Sequence, residues 1–134
     1  MTYLLDTNII SALMKFPAGV VARHLQAVGA ERVCTSIIAV AEIRYGIGKS
    51  GSRKLARQFA KIEPVLPVEP FSQPAEVLYA RIRNETESIG LTVSQNDLLI
   101  AAHAEALDAV LVTDDRIFLR VPGLRVENWL QSQP

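Results

Sequence analysis

A chain of 134 residues, 49% of them hydrophobic, is long enough for one domain with a real core and too apolar to stay disordered. Its formal net charge of zero gives no general electrostatic argument for nucleic-acid binding, so any such argument must come from local patterning. The single cysteine, Cys34, excludes an internal disulfide and points to a reducing cytoplasmic setting, and neither a signal-like segment nor a membrane-length apolar run is present.

Residues 2–5, with Tyr3-Leu4-Leu5, read as a buried strand that ends in Asp6. Residues 7–15 then form a helix that Pro17 ends, and residues 19–29 a second helix that stops near Gly29. Arg32-Val33-Cys34-Thr35 is a short strand. Ser36 caps a helix running to about Gly48, with Ile37, Ile38, Val40 and Ala41 expected to be buried. Residues 52–63 form another helix, with Leu55, Phe59 and Ile62 opposite a basic face. Pro64 and Pro67 bracket an extended piece, Val65-Leu66, and residues 73–89 form a long helix with apolar Val77, Leu78, Ala80 and Ile82, ended by Gly90. Ser94 opens an alanine-rich helix that reaches Leu107, residues 109–113 form the clearest buried strand, and a last strand is expected near Leu124-Arg125-Val126. Strands separated by helices imply an α/β fold: a single domain over residues 1–134, with a central, mostly parallel sheet of about four to five strands and helices on both faces.

In such a fold the strand ends and helix starts of one sheet edge gather together, and ligands bind there. Asp6 follows the first strand, Asp97 lies in the first turn of the alanine-rich helix, and Asp114-Asp115 follow the strand at 109–113. Glu42 lies about 9 Å into its helix, with a side chain that can lean back toward the same edge. Singly, each has a dull role: Asp6 as a helix cap, Ser94-Gln95-Asn96-Asp97 as a capping box, Asp114-Asp115 as a turn, Glu42 as a surface acid. Together they would repel one another, and no histidine or lysine is placed to neutralise them. A divalent cation resolves that conflict, and an all-carboxylate donor set suits Mg²⁺ or Mn²⁺ rather than zinc. Cys34, His24 and His103 stand apart, without zinc-ligand spacing, and read as packed residues.

A carboxylate-held Mg²⁺ recurrently serves phosphodiester hydrolysis. Arg44, Lys49, Arg53, Lys54, Arg57 and Lys61 form a stretch without acids, and the four-residue spacing of Lys49, Arg53 and Arg57 predicts one shared helix face. That face is either merely solvated or a phosphate-contacting edge; Arg44, Lys49, Arg53 and Arg57 are the candidate residues for holding a nucleic-acid backbone.

The motifs resemble those of PIN-domain ribonucleases, specifically the VapC toxins of bacterial toxin–antitoxin pairs. Leu5-Asp6-Thr7-Asn8-Ile9-Ile10-Ser11 resembles the first motif, and Thr35-Ser36-Ile37 through Ala41-Glu42-Ile43 with Tyr45-Gly46 the second. Asn96-Asp97-Leu98-Leu99-Ile100-Ala101-Ala102-His103-Ala104 resembles the third, and Leu111-Val112-Thr113-Asp114-Asp115-Arg116, with Phe118 and Arg120-Val121-Pro122-Gly123-Leu124, the fourth. The resemblance runs in order through nearly the whole chain. It implies Asp6, Glu42 and Asp97 as the core acids and metal ligands, and selects Asp115 over Asp114 as the fourth. It implies that Asn8 and Thr113 order the site by hydrogen bonds. It further implies Mg²⁺-dependent cleavage of RNA, homodimerisation, and inhibition by a VapB-type antitoxin in a hetero-oligomer, with Ile9, Leu13, Met14 and Phe16 as a candidate groove for the antitoxin. A haloacid-dehalogenase-like phosphatase also begins with an Asp after its first strand, but it needs a second Asp where Asn8 stands. A receiver domain needs a lysine that Thr113-Asp114-Asp115-Arg116 lacks. The remaining alternative is a non-catalytic RNA-binding or scaffold PIN-like domain.

Overall fold

Successive side chains of each strand point to opposite faces, and the inner strands are buried on both, which builds the molecule in layers. The structure is a computed structural model that describes residues 1–131 and 134. Its five strands, β1 (Thr2–Leu5), β2 (Val33–Ser36), β3 (Val68–Glu69), β4 (Ala109–Val112) and β5 (Val126–Glu127), form one sheet in the order β3-β2-β1-β4-β5. Every pairing is parallel. Leu4 stands opposite Cys34 and Leu111, and these three face one core; Leu5 stands opposite Val112, and both face the other. Period-two alternation in a parallel sheet therefore demands helices on both sides.

Six helices among the described residues supply them: α1 (Thr7–Lys15), α2 (Val20–Val28), α3 (Ile37–Ser50), α4 (Arg53–Ile62), α5 (Ala75–Ser88) and α6 (Gln95–Ala106). On one face α6 presents Ile100, Ala101, Ala102 and Ala104, all fully buried, to Leu4 and Leu111, and Ile82 of α5 packs behind them. The small alanines bring the α6 backbone close to the sheet. On the other face Ile9, Ile10 and Met14 of α1, Phe59 of α4 and Trp129 pack over Leu5 and Val112. Each fully buried Leu or Ile stabilises the fold by about 1.5–3 kcal/mol.

Local chemistry explains where the boundaries depart from expectation. The second strand is Val33–Ser36 because Ala30–Arg32 coil into a 3-10 turn after Gly29. α3 runs past Gly48 to Ser50 and ends at Gly51, whose φ of 64° is the left-handed conformation that closes a helix. Ile37 is 43% exposed and Ala41 is also exposed, while Ala39, Val40 and Ile43 face inward, so the buried stripe of α3 is rotated from the one expected. Val65 belongs to a 3-10 turn, Glu63–Val65, and the third strand begins only at Val68. On α5, Val77 and Ala80 are exposed, and Ala75, Ile82 and Thr86 carry the buried stripe. The last strand is Val126–Glu127 rather than Leu124–Val126.

The sheet order fixes where a ligand can sit. The chain builds outward from β1 through β2 to β3, then crosses to the opposite side of β1 to lay down β4 and β5. The order reverses between β1 and β4, and the carboxyl ends of those two strands flank the crevice that such a reversal opens. Cys34, buried in the middle of β2, has its thiol pushed up to about 11 by burial and by the charge of Glu69, so it stays protonated and packs as a small apolar residue. Among the described residues no helix is long and apolar enough to cross a membrane.

Candidate active site

Asp6 leaves β1 with its backbone N–H still bonded to the Val112 carbonyl of β4, at 2.9 Å, so it sits at the reversal point of the sheet. It is only 5% exposed. Its Oδ1 accepts a hydrogen bond from the Thr7 backbone N–H at 2.8 Å, which makes it the N-cap of α1, and its Oδ2 accepts from the Thr113 hydroxyl at 2.8 Å. The dull role and the site role therefore coexist in one residue. Asn8 Nδ2 donates to Thr113 Oγ1 at 3.2 Å and lies 3.5 Å from Asp6 Oδ2, and Asn8 Oδ1 accepts from the Asp114 backbone N–H at 2.9 Å. Thr113 Oγ1 also accepts from the Asp115 N–H at 3.1 Å. Asn8 and Thr113 thus lace the ends of β1 and β4 together around the Asp6 carboxylate.

Glu42 reaches the same edge from α3. Its Oε1 accepts from the Thr7 hydroxyl at 3.3 Å, and a second side-chain hydrogen bond comes from Asn96. Asp97 enters from α6, where Ser94 Oγ accepts from the Asp97 N–H at 3.2 Å and caps the helix. Burial raises the pKa values of Asp6, Glu42 and Asp97 above their ordinary range. Mutual repulsion adds to this: the charges of Asp6 and Asp97 act on Glu42, and those of Asp6 and Asp115 on Asp97. Asp115 acts on Asp6 as well, while its own side chain caps the following 3-10 turn through the Ile117 N–H at 3.1 Å. Asp114 has no part in this electrostatic group; it is exposed and accepts from Asn128 Nδ2 at 2.7 Å.

Asp6, Glu42 and Asp97, from β1, α3 and α6, thus share one electrostatic environment, and the charge of Asp115 at the end of β4 reaches Asp6 and Asp97. Thr7 and Asn96 hold Glu42 in place, and sequence reasoning gave neither a role. Both are immediate chain neighbours of an acid, Thr7 of Asp6 and Asn96 of Asp97, and that adjacency is the signal that was there to read. The donor set is all carboxylate with amide and hydroxyl support, which is the chemistry of a hard divalent cation. Among the described residues, no group of three or more acids, histidines or cysteines is already arranged as the ligands of one ion. The donors are of the right type, and a cation would have to draw them inward against hydrogen bonds they now make.

The PIN-domain family model matches residues 3–124, a span that includes all four acids. The chain is 37% identical over 134 residues to ribonuclease VapC2 of Rickettsia felis, an alignment that covers 96% of this chain and 98% of the relative. The chain belongs to the PIN-domain family, among its VapC ribonucleases. A second VapC relative, the tRNA(fMet)-specific endonuclease VapC of Salmonella typhimurium, is 33% identical over 132 residues, covering 95% of this chain and 97% of that one. In three dimensions the chain is similar to the crystal structure of VapBC2 from Rickettsia felis bound to a DNA fragment from its promoter, with a TM-score of 0.84 at 35% identity, covering 96% of this chain and 99% of that one.

Against the VapC frame, the basic residues need correction. Lys49 lies on α3 while Arg53 and Arg57 lie on α4, with the left-handed Gly51 between them, so the three do not share one helix face. Spacing by fours was misleading because a glycine stop interrupts the run. Arg44 pairs with Glu63 and lies over the Phe59 ring, 5.2 Å from its centroid, so it ties α3 to the end of α4. The expected apolar groove also changes. Ile9 and Met14 are core residues, and Phe16 is 66% exposed. A cavity of about 440 Å³ does open beside them, lined by Leu13, Met14 and Pro17, by Leu25 of α2, and by Ile62 and Val65 at the end of α4.

Proposed function

We propose that this chain is a divalent-metal-dependent endoribonuclease that acts as the toxin of a toxin–antitoxin pair and is inhibited by a VapB-type antitoxin. The observation that carries the reading is the convergence of Asp6, Glu42, Asp97 and Asp115 at the sheet reversal of a VapC-family chain. The same likeness sets aside the phosphatase alternative. PIN-domain nucleases generally depend on divalent metals, and the donor set favours Mg²⁺ or Mn²⁺. Asp6, Asp97 and Glu42 would hold the ion, with Asp115 completing the set. Such a cation supplies Lewis acidity that polarises a phosphodiester and acidifies an attacking water. The chain's own residues supply the positioning: Thr113 and the Thr7 N–H fix Asp6, Thr7 and Asn96 fix Glu42, and Ser94 fixes the helix turn that bears Asp97. Lys49, Arg53 and Arg57 would hold the RNA backbone on the α3–α4 side. Residues 1–134 would act as one PIN domain, in the cytoplasm, as a homodimer that joins its antitoxin in a hetero-oligomer.

The groove between α1, α2 and α4 is the surface assigned to the antitoxin. Its floor is apolar, and Lys15 and Lys61 stand at its rim, which suits an amphipathic helix with acidic flanks. The relative's specificity makes transfer RNA the first substrate to test. Purified protein should cut transfer RNA with Mg²⁺ or Mn²⁺ and not with EDTA, and Asp97→Asn should abolish cutting with an unchanged circular dichroism spectrum. If Asp97→Asn cuts as fast as the parent, the acids are not the catalytic centre. If the parent cuts no RNA under any metal condition, the scaffold reading takes its place.

A further inference from the structure

We propose that His103 is a positioning residue that locks the two acid-bearing helices, α3 and α6, against each other through Ser36; this rests on the metal-dependent nuclease reading above. His103 is 1% exposed on the inner face of α6. An imidazole is costly to bury, and a leucine would fill such a place among Ile100 and Ala104 without that cost. The polar choice is explained by one contact: His103 Nδ1 lies 2.7 Å from Ser36 Oγ. Ser36 is the last residue of β2 and the N-cap of α3, and the same oxygen accepts from the Ile38 N–H at 3.0 Å. One hydroxyl thus serves both the first turn of α3 and a side chain of α6. Phe71 closes the other side, edge-on to the imidazole at 5.4 Å and 74°. The Pro70 backbone and the charge of Glu69 also act on the ring, but Nε2 makes no hydrogen bond of good geometry, so the well-formed side-chain bond is the one to Ser36.

The placement matters because of what the two helices carry. Glu42 lies six residues beyond Ser36 on α3, and Asp97 six residues before His103 on α6, each about 9 Å along its axis from the bond. Asp97 and Glu42 repel each other, and that repulsion tends to spread α3 from α6. A buried, directional bond between the helices opposes the spreading and keeps both carboxylates within reach of a shared ion. Residues behind a metal site that orient its ligands typically change affinity or activity about 10–100-fold when removed.

The test uses the full chain with His103→Leu, His103→Asn, Ser36→Ala and the double variant His103→Leu/Ser36→Ala. Cleavage of transfer RNA, Mn²⁺ affinity by calorimetry and Tm are measured on each. His103→Leu and Ser36→Ala should each lower kcat and weaken Mn²⁺ binding about 10–100-fold with KM for RNA unchanged. The double variant should be no worse than either single one, because both remove the same bond. His103→Asn, which returns an amide near the position of Nδ1, should recover most of the loss. Additive losses, an Asn variant as poor as Leu, or a lowered Tm with unchanged kcat and Mn²⁺ affinity would each overturn the proposal. Should His103→Leu not fold, Ser36→Ala against Ser36→Thr carries the comparison, with the threonine expected to retain function. A parent that cuts no RNA but shows this pattern in Mn²⁺ affinity would sink the nuclease reading and leave the positioning role standing.

Discussion

At the scale of single residues, the acids oppose the fold that holds them. Asp6, Glu42 and Asp97 all have raised pKa values, from burial first and then from neighbouring acids: Asp115 acts on Asp6, Asp6 and Asp97 on Glu42, and Asp6 and Asp115 on Asp97. A carboxyl whose folded pKa lies above its unfolded value contributes stability below the unfolded value, and that contribution is lost as pH rises through the folded one. Metal-free protein should therefore lose stability from this group as pH climbs above the ordinary carboxylate values of 3.8 and 4.5. Asp97→Asn should then raise stability at pH 7 in EDTA, by roughly 1 kcal/mol or less for a half-buried, solvent-screened group, and Tm with it, with the gain vanishing near pH 4. Differential scanning calorimetry across pH reads this directly; a variant less stable than the parent at pH 7 would contradict it. Mg²⁺ should reverse the order at neutral pH, because it stabilises only the parent by mass action. The neighbouring aspartates separate in the same way. Asp115→Asn should cost at least about tenfold in cleavage, whereas Asp114→Asn, which keeps an oxygen to accept from Asn128, should leave the rate nearly unchanged.

At the scale of elements, helix ends do much of the positioning. Asp6 caps α1, Ser36 caps α3, Ser94 caps α6 and Asp115 caps a 3-10 turn, so four caps surround one crevice. Ser94→Ala should destabilise the protein by about 1 kcal/mol in urea unfolding and slow cleavage as the first turn of α6 frays. α4 carries the basic pair Arg53 and Arg57 in place of the three-residue stripe that spacing suggested. Reversing both charges should weaken RNA binding and flatten its dependence on salt, measured by filter binding between low and moderate ionic strength. An unchanged slope would return α4 to a solvated face. Leu13→Asp, in the apolar groove, should relieve inhibition by a VapB-type partner while transfer RNA cleavage stays at the parent's level.

For the whole molecule, two cores hold one sheet, and they are unequal in how they reach the site. The α5–α6 core seats α6, which bears Asp97, through buried alanines, and the α1–α4 core reaches past the span matched by the PIN-domain family to Trp129. Trp129 is 1% exposed, lies 5.5 Å from the Tyr3 ring and stacks on His24 at 5.2 Å, which clamps the far face of β1. Trp129→Ala should cost about 3–5 kcal/mol. Denaturant unfolding followed by circular dichroism gives the value, and a loss under 1 kcal/mol would mean that this face packs without the ring.

Short continuous apolar runs determined the strands, and the helices between them determined a parallel sheet, because both follow from local sequence pattern. The acids were legible for the same reason: Asp6, Asp97 and Asp115 each stand at a strand end or helix start, and only one edge of a parallel sheet collects such positions. Where periodicity was interrupted, the reading slipped. Gly51 split the basic run, and the buried stripes of α3 and α5 turned away from Ile37 and Val77, since the side of a helix that is covered depends on its neighbours. The hydroxyl of Ser36 meeting the ring of His103 could come only from the tertiary structure. Sixty-seven residues separate them, and nothing in the local chemistry of either one specifies the other until β2 and α6 are packed together.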